Sequence, residues 1–210
     1  MEGFNDQRYT LSMNLAFNDN EMSMRIRFEK PLSDDALLRL SLDNDPWRIE
    51  RDANGDLIMM TPVNSEGGRV EGHVYAELAF WTRTDGRGEV FGPSAGFTLP
   101  DTSVRAADAA WISLARWNAL TREQQDSYAP ICPEFIIEVR SKSDRLSTLE
   151  AKMEMWIANG AQLAWLIDPV RKAVAIYRPG ESPELLDEPT SVRGTGPVSG
   201  FELVMSRIWQ

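Results

Sequence analysis

One cysteine and one histidine are all that the chain offers in the way of thiol or imidazole ligands. Cys132 alone cannot form an intrachain disulfide, which suits a reducing compartment, and with only His73 beside it no zinc site of the Cys/His type can be built. Cys132 reads as a small residue at a strand edge rather than as a nucleophile. Long apolar runs are missing too, so no segment reaches the length needed to span a bilayer, and no membrane partner is expected. The opening residues, MEGFNDQRYTLSMNLAF, lack a basic segment followed by an apolar one. A secretion signal is therefore not expected, and a cytoplasmic location is. Basic charge is in the minority: 22 Lys and Arg against 32 Asp and Glu leave a net charge of −10. That sign argues against a non-specific grip on polyanions by the whole surface. It leaves room for a local basic groove and suits a site that concentrates divalent cations.

What is present is ordinary for a globular chain: 210 residues, 42% hydrophobic and 26% charged, enough for one large domain. Residues 1–30 are polar with scattered methionines and read as an N-terminal arm on a single domain spanning 31–210. Ser33 followed by Asp34 and Asp35 predicts a helix start, and Asn44-Asp45-Pro46 its end. Asn54-Gly55 between two alternating segments predicts a β-hairpin. Val70, Val74, Leu78 and Trp81 recur at helical spacing and predict a helix over about 69–84. Strands are expected near 89–91, 96–99, within 104–112, at 134–140, 163–167 and 174–177, and two weaker ones in the tail. Ser147-Thr148-Leu149-Glu150 has the form of a capping box opening a helix that ends at Asn159-Gly160. The clear strand–helix–strand unit at 134–167 implies a mixed sheet in an α/β or α+β domain.

Two acids stand out. Glu138 lies inside the apolar run Phe135-Ile136-Ile137-Glu138-Val139, and Asp108 inside Ala106-Ala107-Asp108-Ala109-Ala110-Trp111. A buried, unpaired carboxylate is costly, so each needs a cationic partner or must face water at a sheet edge. Two carboxylates on neighbouring strands make a good magnesium site, because magnesium takes hard oxygen ligands and keeps several waters. Three cations compete to complete the site. Arg140 shares the strand face of Glu138, Lys142 follows if the strand persists, and Lys152 sits on the next helix. Glu50, Glu71 and Glu77 read first as solvent-facing, His73 as a surface or packing residue, and Asp168 before Pro169 as a turn former.

The segments "RIERDANGDLIMMTP", "SAGFTLPDTSVRAADAAWISLARWNAL", "CPEFIIEVRSKSD" and "EAKMEMWIANGAQLAWLIDP" occur in an order and spacing that resemble the Uma-type putative restriction endonucleases. These belong to the PD-(D/E)XK nuclease superfamily. The resemblance covers about Leu32 to the C-terminus. It implies a restriction-endonuclease-like core with a mixed central sheet flanked by helices and an N-terminal hairpin extension. It also implies a magnesium-dependent endonuclease, manganese being a possible substitute, that acts on nucleic acid, DNA above all, leaves 5′-phosphate and 3′-hydroxyl ends, and works as a homodimer. By the resemblance Asp108 and Glu138 are metal-binding and catalytic, and the catalytic lysine has moved from two residues after the glutamate, where Arg140 stands, to Lys152. Two departures stand out: Ala107-Asp108 where the family often has Pro-Asp, and Ser141-Lys142-Ser143 where it often has Ser-Pro-Ser. An inactive nucleic-acid-binding protein of the same fold and a structural or interaction protein are the rival expectations.

Overall fold

The computed structural model describes residues 23–209. Its first strand, β1 (Ser23–Ile26), falls in a stretch whose polar composition reads as irregular. The remainder of the expected arm, residues 1–22, lies outside the described residues. α1 (Asp34–Asp43) begins where Ser33 caps it, its hydroxyl accepting from the Ala36 N–H at 3.3 Å. β2 (Arg48–Arg51) and β3 (Leu57–Met60) form the hairpin, and Gly55 supplies the positive φ of +87° at its turn. Asp52 closes that turn by accepting the N–H groups of Asn54 and Asp56. The turn also explains β1, which pairs antiparallel with β3 while Arg25 reaches Asp52 and Arg27 reaches Asp56.

α2 (Ser65–Asp85) starts about a turn before its apolar period, because the Asn64 side chain caps it by accepting from the Gly67 N–H at 2.9 Å. β4 (Gly88–Phe91) and β5 (Gly96–Thr98) follow. The segment read as one strand within 104–112 is two, β6 (Val104–Ala106) and β7 (Ala109–Ser113), broken at Ala107-Asp108. β6 pairs with β2 and β5, whereas β7 pairs with β4, so the chain passes from one sheet to another at Asp108. The short helices α3 (Leu114–Trp117) and α4 (Arg122–Gln125) lead to β8 (Phe135–Val139). α5 (Leu146–Ala158) then crosses to β9 (Leu163–Asp168), parallel to β8. Ser147 lies inside α5, and Arg145 holds the N-cap position, so the expected capping box is not what starts this helix. Leu146, the first residue of the helix, packs against the core. β10 (Ala173–Tyr177) and β11 (Glu184–Asp187) continue the sheet antiparallel. β12 (Ser191–Arg193), which the sequence period does not reveal, pairs with β13 (Glu202–Val204) in a separate hairpin.

The result is a mixed α/β architecture. A five-stranded sheet has the order β1-β3-β2-β6-β5, and a central six-stranded sheet the order β11-β10-β9-β8-β7-β4. α2 covers one face of the central sheet, where Val70, Val74 and Leu78 share a core with Phe135, Ile137 and Val139. α5 covers the other, where Met153 and Trp156 share a core with Ile136, Ala164 and Leu166. Side chains alternate along β8, so Glu138 falls on the α5 side. Burial on both faces holds that register, since a one-residue slip would exchange the two sets. Among the described residues no helix is long and apolar enough to cross a membrane.

Candidate active site

Asp108 sits at the break between β6 and β7, and β7 is hydrogen-bonded to β8 with Ala109 opposite Ile137. This brings the two expected acids to one place. Asp108 Oδ2 accepts the Val139 main-chain N–H at 2.8 Å, beside Glu138 in the chain. Glu138 Oε1 accepts Lys152 Nζ at 2.8 Å and Trp156 Nε1 at 2.9 Å. Lys152 and Trp156 are four residues apart and therefore stand on one face of α5. The ammonium also donates to the Ala106 carbonyl at 2.9 Å and lies 3.4 Å from Glu50 Oε1. Three oxygens from three different elements thus surround the ammonium.

Two acids read as solvent-facing belong to this cluster, which corrects the sequence expectation. Glu50 on β2 and Glu71 on α2 are buried. Glu50 Oε2 accepts Arg105 Nη1 at 2.8 Å, and its Oε1 accepts the Ala106 N–H at 3.1 Å. Glu71 Oε2 accepts Arg48 Nη2 at 3.1 Å, and the same guanidinium gives Nη1 to Asp108 Oδ1 at 3.2 Å. Arg48 and Arg105 also belong to this cluster, and sequence reasoning missed both. A usable signal was the alternation Arg48-Ile49-Glu50, which puts Arg48 and Glu50 on one face of a strand. The remaining readings keep their places. Glu77 is exposed and His73 half-buried on α2, and Lys142 is exposed in the loop after β8. Arg140 turns away to Asp168, Nη1 to Oδ2 at 2.8 Å. Asp168 forms its turn by accepting the N–H groups of Val170 and Arg171. Burial pushes the Cys132 thiol up to about 12, which keeps it from being a thiolate near neutral pH.

Glu50, Glu71, Asp108 and Glu138 face Arg48, Arg105 and Lys152, so carboxylates outnumber cations. Burial pushes the Glu138 carboxyl up to about 7, with Asp108 adding to the rise and Lys152 opposing it. Burial likewise takes Glu71 to about 7, helped by Asp108 and opposed by Arg48. Burial opposes ionisation of Glu50 as well, but Lys152 and Arg105 outweigh it and hold that carboxyl below its usual range. Lys152 loses by burial and gains more from Glu138, Glu50 and Asp108, so it stays protonated. Among the described residues no group of three or more His, Cys, Asp or Glu is arranged to hold a metal ion. The fit of a magnesium ion therefore rests on the donor chemistry of Asp108 and Glu138. Both are hard oxygen donors in a site with surplus negative charge, and one or two carboxylates with waters are what magnesium commonly accepts. Chemically, the cluster can gather a cation, hold a fixed ammonium beside it, and keep a carboxyl near neutral pH ready to exchange a proton.

Residues 34–206 match the family Uma2, described as putative restriction endonuclease. The fold is similar to that of a putative nuclease belonging to DUF820 from Anabaena variabilis ATCC 29413. The TM-score is 0.68 at 20% sequence identity, covering 85% of this chain and 98% of that one. No curated protein matches the sequence. With the family match extending over most of the chain, the protein belongs to the Uma2 family of putative restriction endonucleases.

Proposed function

We propose that the chain hydrolyses phosphodiester bonds in nucleic acid, with DNA as the preferred substrate and magnesium, or manganese in its place, as the cofactor. The observation that carries this is the Lys152 ammonium 2.8 Å from Glu138, on the strand next to Asp108. Asp108 and Glu138 would hold the ion. When bound, the ion supplies Lewis acidity to the scissile phosphate and lowers the pKa of an attacking water. Lys152, kept protonated by the surrounding carboxylates, acts as a fixed positive charge rather than as a base. It orients the water or meets the charge that builds on the phosphoryl oxygens. Glu50 and the Ala106 carbonyl hold the ammonium on the Glu138 side, which spares it the reorganisation a flexible surface lysine would need. The products would be 5′-phosphate and 3′-hydroxyl ends. A homodimer is part of the proposal, because one acidic chain offers little basic surface for a duplex, and two chains could line one groove with Arg and Lys.

Isothermal calorimetry with manganese tests the metal assignment. The wild type should bind, and Asp108→Asn and Glu138→Gln should each abolish binding while circular dichroism stays native. Unchanged affinity in both variants refutes the ligand assignment, and no binding by any folded form of the chain favours a scaffold protein instead.

A further inference from the structure

Both oxygens of the Asp108 carboxylate are already engaged. Oδ2 takes the Val139 N–H, a main-chain contact fixed by the sheet, and Oδ1 takes Arg48 Nη1. Arg48 uses its second nitrogen on Glu71, so one planar guanidinium spans the two carboxylates. A divalent cation that approaches Asp108 meets Arg48 at Oδ1, the oxygen not tied to the main chain. Like-charge repulsion then forbids the guanidinium and the ion from sharing that oxygen at contact distance in so buried a place. Arg48 is also the most accessible cation of the cluster: its side chain is 30% exposed, against 18% for Lys152 and 14% for Arg105. Of the three it is the one least enclosed by the fold. A guanidinium released from Asp108 has the planar fork that matches phosphate oxygens.

We propose that Arg48 is a resident counter-cation of the site, exchanged for the divalent ion at Asp108 and then used as a ligand for the nucleic-acid phosphate. This rests on the metal-dependent reading above and goes beyond it by assigning Arg48, on the hairpin of the other sheet, a role in both loading steps. The structural alternative, in which Arg48 merely clamps β2 to α2, makes the opposite forecast for metal affinity. Loss of a clamp loosens the site, whereas loss of a competitor tightens ion binding.

The test is manganese calorimetry on the full chain, wild type against Arg48→Met, with Arg48→Lys as a second variant that keeps the charge but cannot span two carboxylates. Manganese should bind Arg48→Met about tenfold more tightly, the worth of one charge-assisted contact removed from competition. Arg48→Lys should fall between, and it carries the test if Arg48→Met does not fold. With manganese saturating and in the Lys152→Ala background, an oligonucleotide should bind Arg48→Met more weakly, with a salt slope smaller by about one. Equal or weaker manganese affinity in folded variants, while the wild type binds, overturns the exchange and leaves the metal-dependent reading standing. An unchanged salt slope overturns the phosphate role. No manganese binding by wild type or variants overturns the metal-dependent reading and the exchange with it, whereas binding by the variants alone supports the exchange.

Discussion

The Asp108 carboxylate accepts the main-chain N–H of Val139 at 2.8 Å, so the first acid of the site is fastened to the strand that carries the second. The bond runs from the break before β7 to the end of β8, across a pair of strands whose register is held by burial on both faces. On the opposite side of Glu138, α5 supplies Lys152 and Trp156 to the same oxygen. The two acids and the lysine therefore depend on three elements, each placed by its own apolar packing.

Lys152 is the residue whose loss should separate chemistry from metal binding. Lys152→Ala should lower the cleavage rate by at least ~10²-fold, the usual size for one lost transition-state contact. Manganese affinity should stay nearly unchanged, since Lys152 engages Oε1 of Glu138 and leaves Oε2 to the ion, whereas both oxygens of Asp108 are taken. Lys142→Ala, in an exposed loop, should do far less to the rate. Arg140→Ala should act on stability instead, because it leaves the buried Asp168 without its guanidinium. Loss of activity in Lys142→Ala but not in Lys152→Ala would show that the loop lysine is the catalytic cation.

The raised acids set a pH dependence with a definite sign. Glu71 and Glu138 stand at about 7 in the fold, against an ordinary 4.5. Between those values the folded protein keeps protons that the unfolded chain releases, so their contribution to stability falls as pH rises. It is complete below about 4.5 and lost through about 7. Without divalent ion, the melting temperature of the wild type should drop relative to that of Glu71→Gln as pH goes from about 5 to about 8. A constant difference over that range would contradict the assignment. Manganese affinity should rise over the same window, because the ion needs Glu138 ionised.

Light scattering tests the proposed dimer. At micromolar concentration the mass should be about twice the 23.7 kDa of one chain. A value near a single chain would leave each monomer to grip its substrate alone.

Packing around Trp111 gives a test that does not involve chemistry. A Cβ at Gly88 would lie 2.2 Å from the Trp111 ring, which is buried under α2. Gly88→Ala should therefore cost at least ~1–3 kcal/mol in denaturant unfolding, as overpacked cores do. A change within about 0.5 kcal/mol, typical of an exposed site, would mean that the ring moves aside easily.

The elements that sequence reading located are those whose signal is local. Ser33 and its acids start α1, Asn54-Gly55 turns the hairpin, and the apolar run around Glu138 makes a buried strand. Elements held by distant partners were not legible. β1 is only Ser23-Met24-Arg25-Ile26, too short for its alternation to stand out, and it exists as a strand because β3 and the Asp52 turn lie beside it. The break at Asp108 is hidden because alanines on both sides fit either sheet. Glu50 and Glu71 each look solvent-facing on an amphipathic element, and only the convergence of β2, α2 and β7 buries them. Trp156 reads as a core anchor, and nothing in its spacing shows that its N–H meets a carboxylate. Asp108 and Glu138 stand out in the sequence by their lone positions and Lys152 by the family pattern, and the structure brings all three candidates into one cluster.

Incubation of purified protein with supercoiled plasmid and magnesium tests the central claim most directly, with chelator and the Asp108→Asn, Glu138→Gln and Lys152→Ala variants in parallel. The wild type with magnesium should nick or linearise the plasmid, leaving 5′-phosphate ends, while chelator and each variant suppress cleavage. Cleavage at the wild-type rate by Asp108→Asn or Glu138→Gln, or activity that survives removal of the ion, would contradict the account.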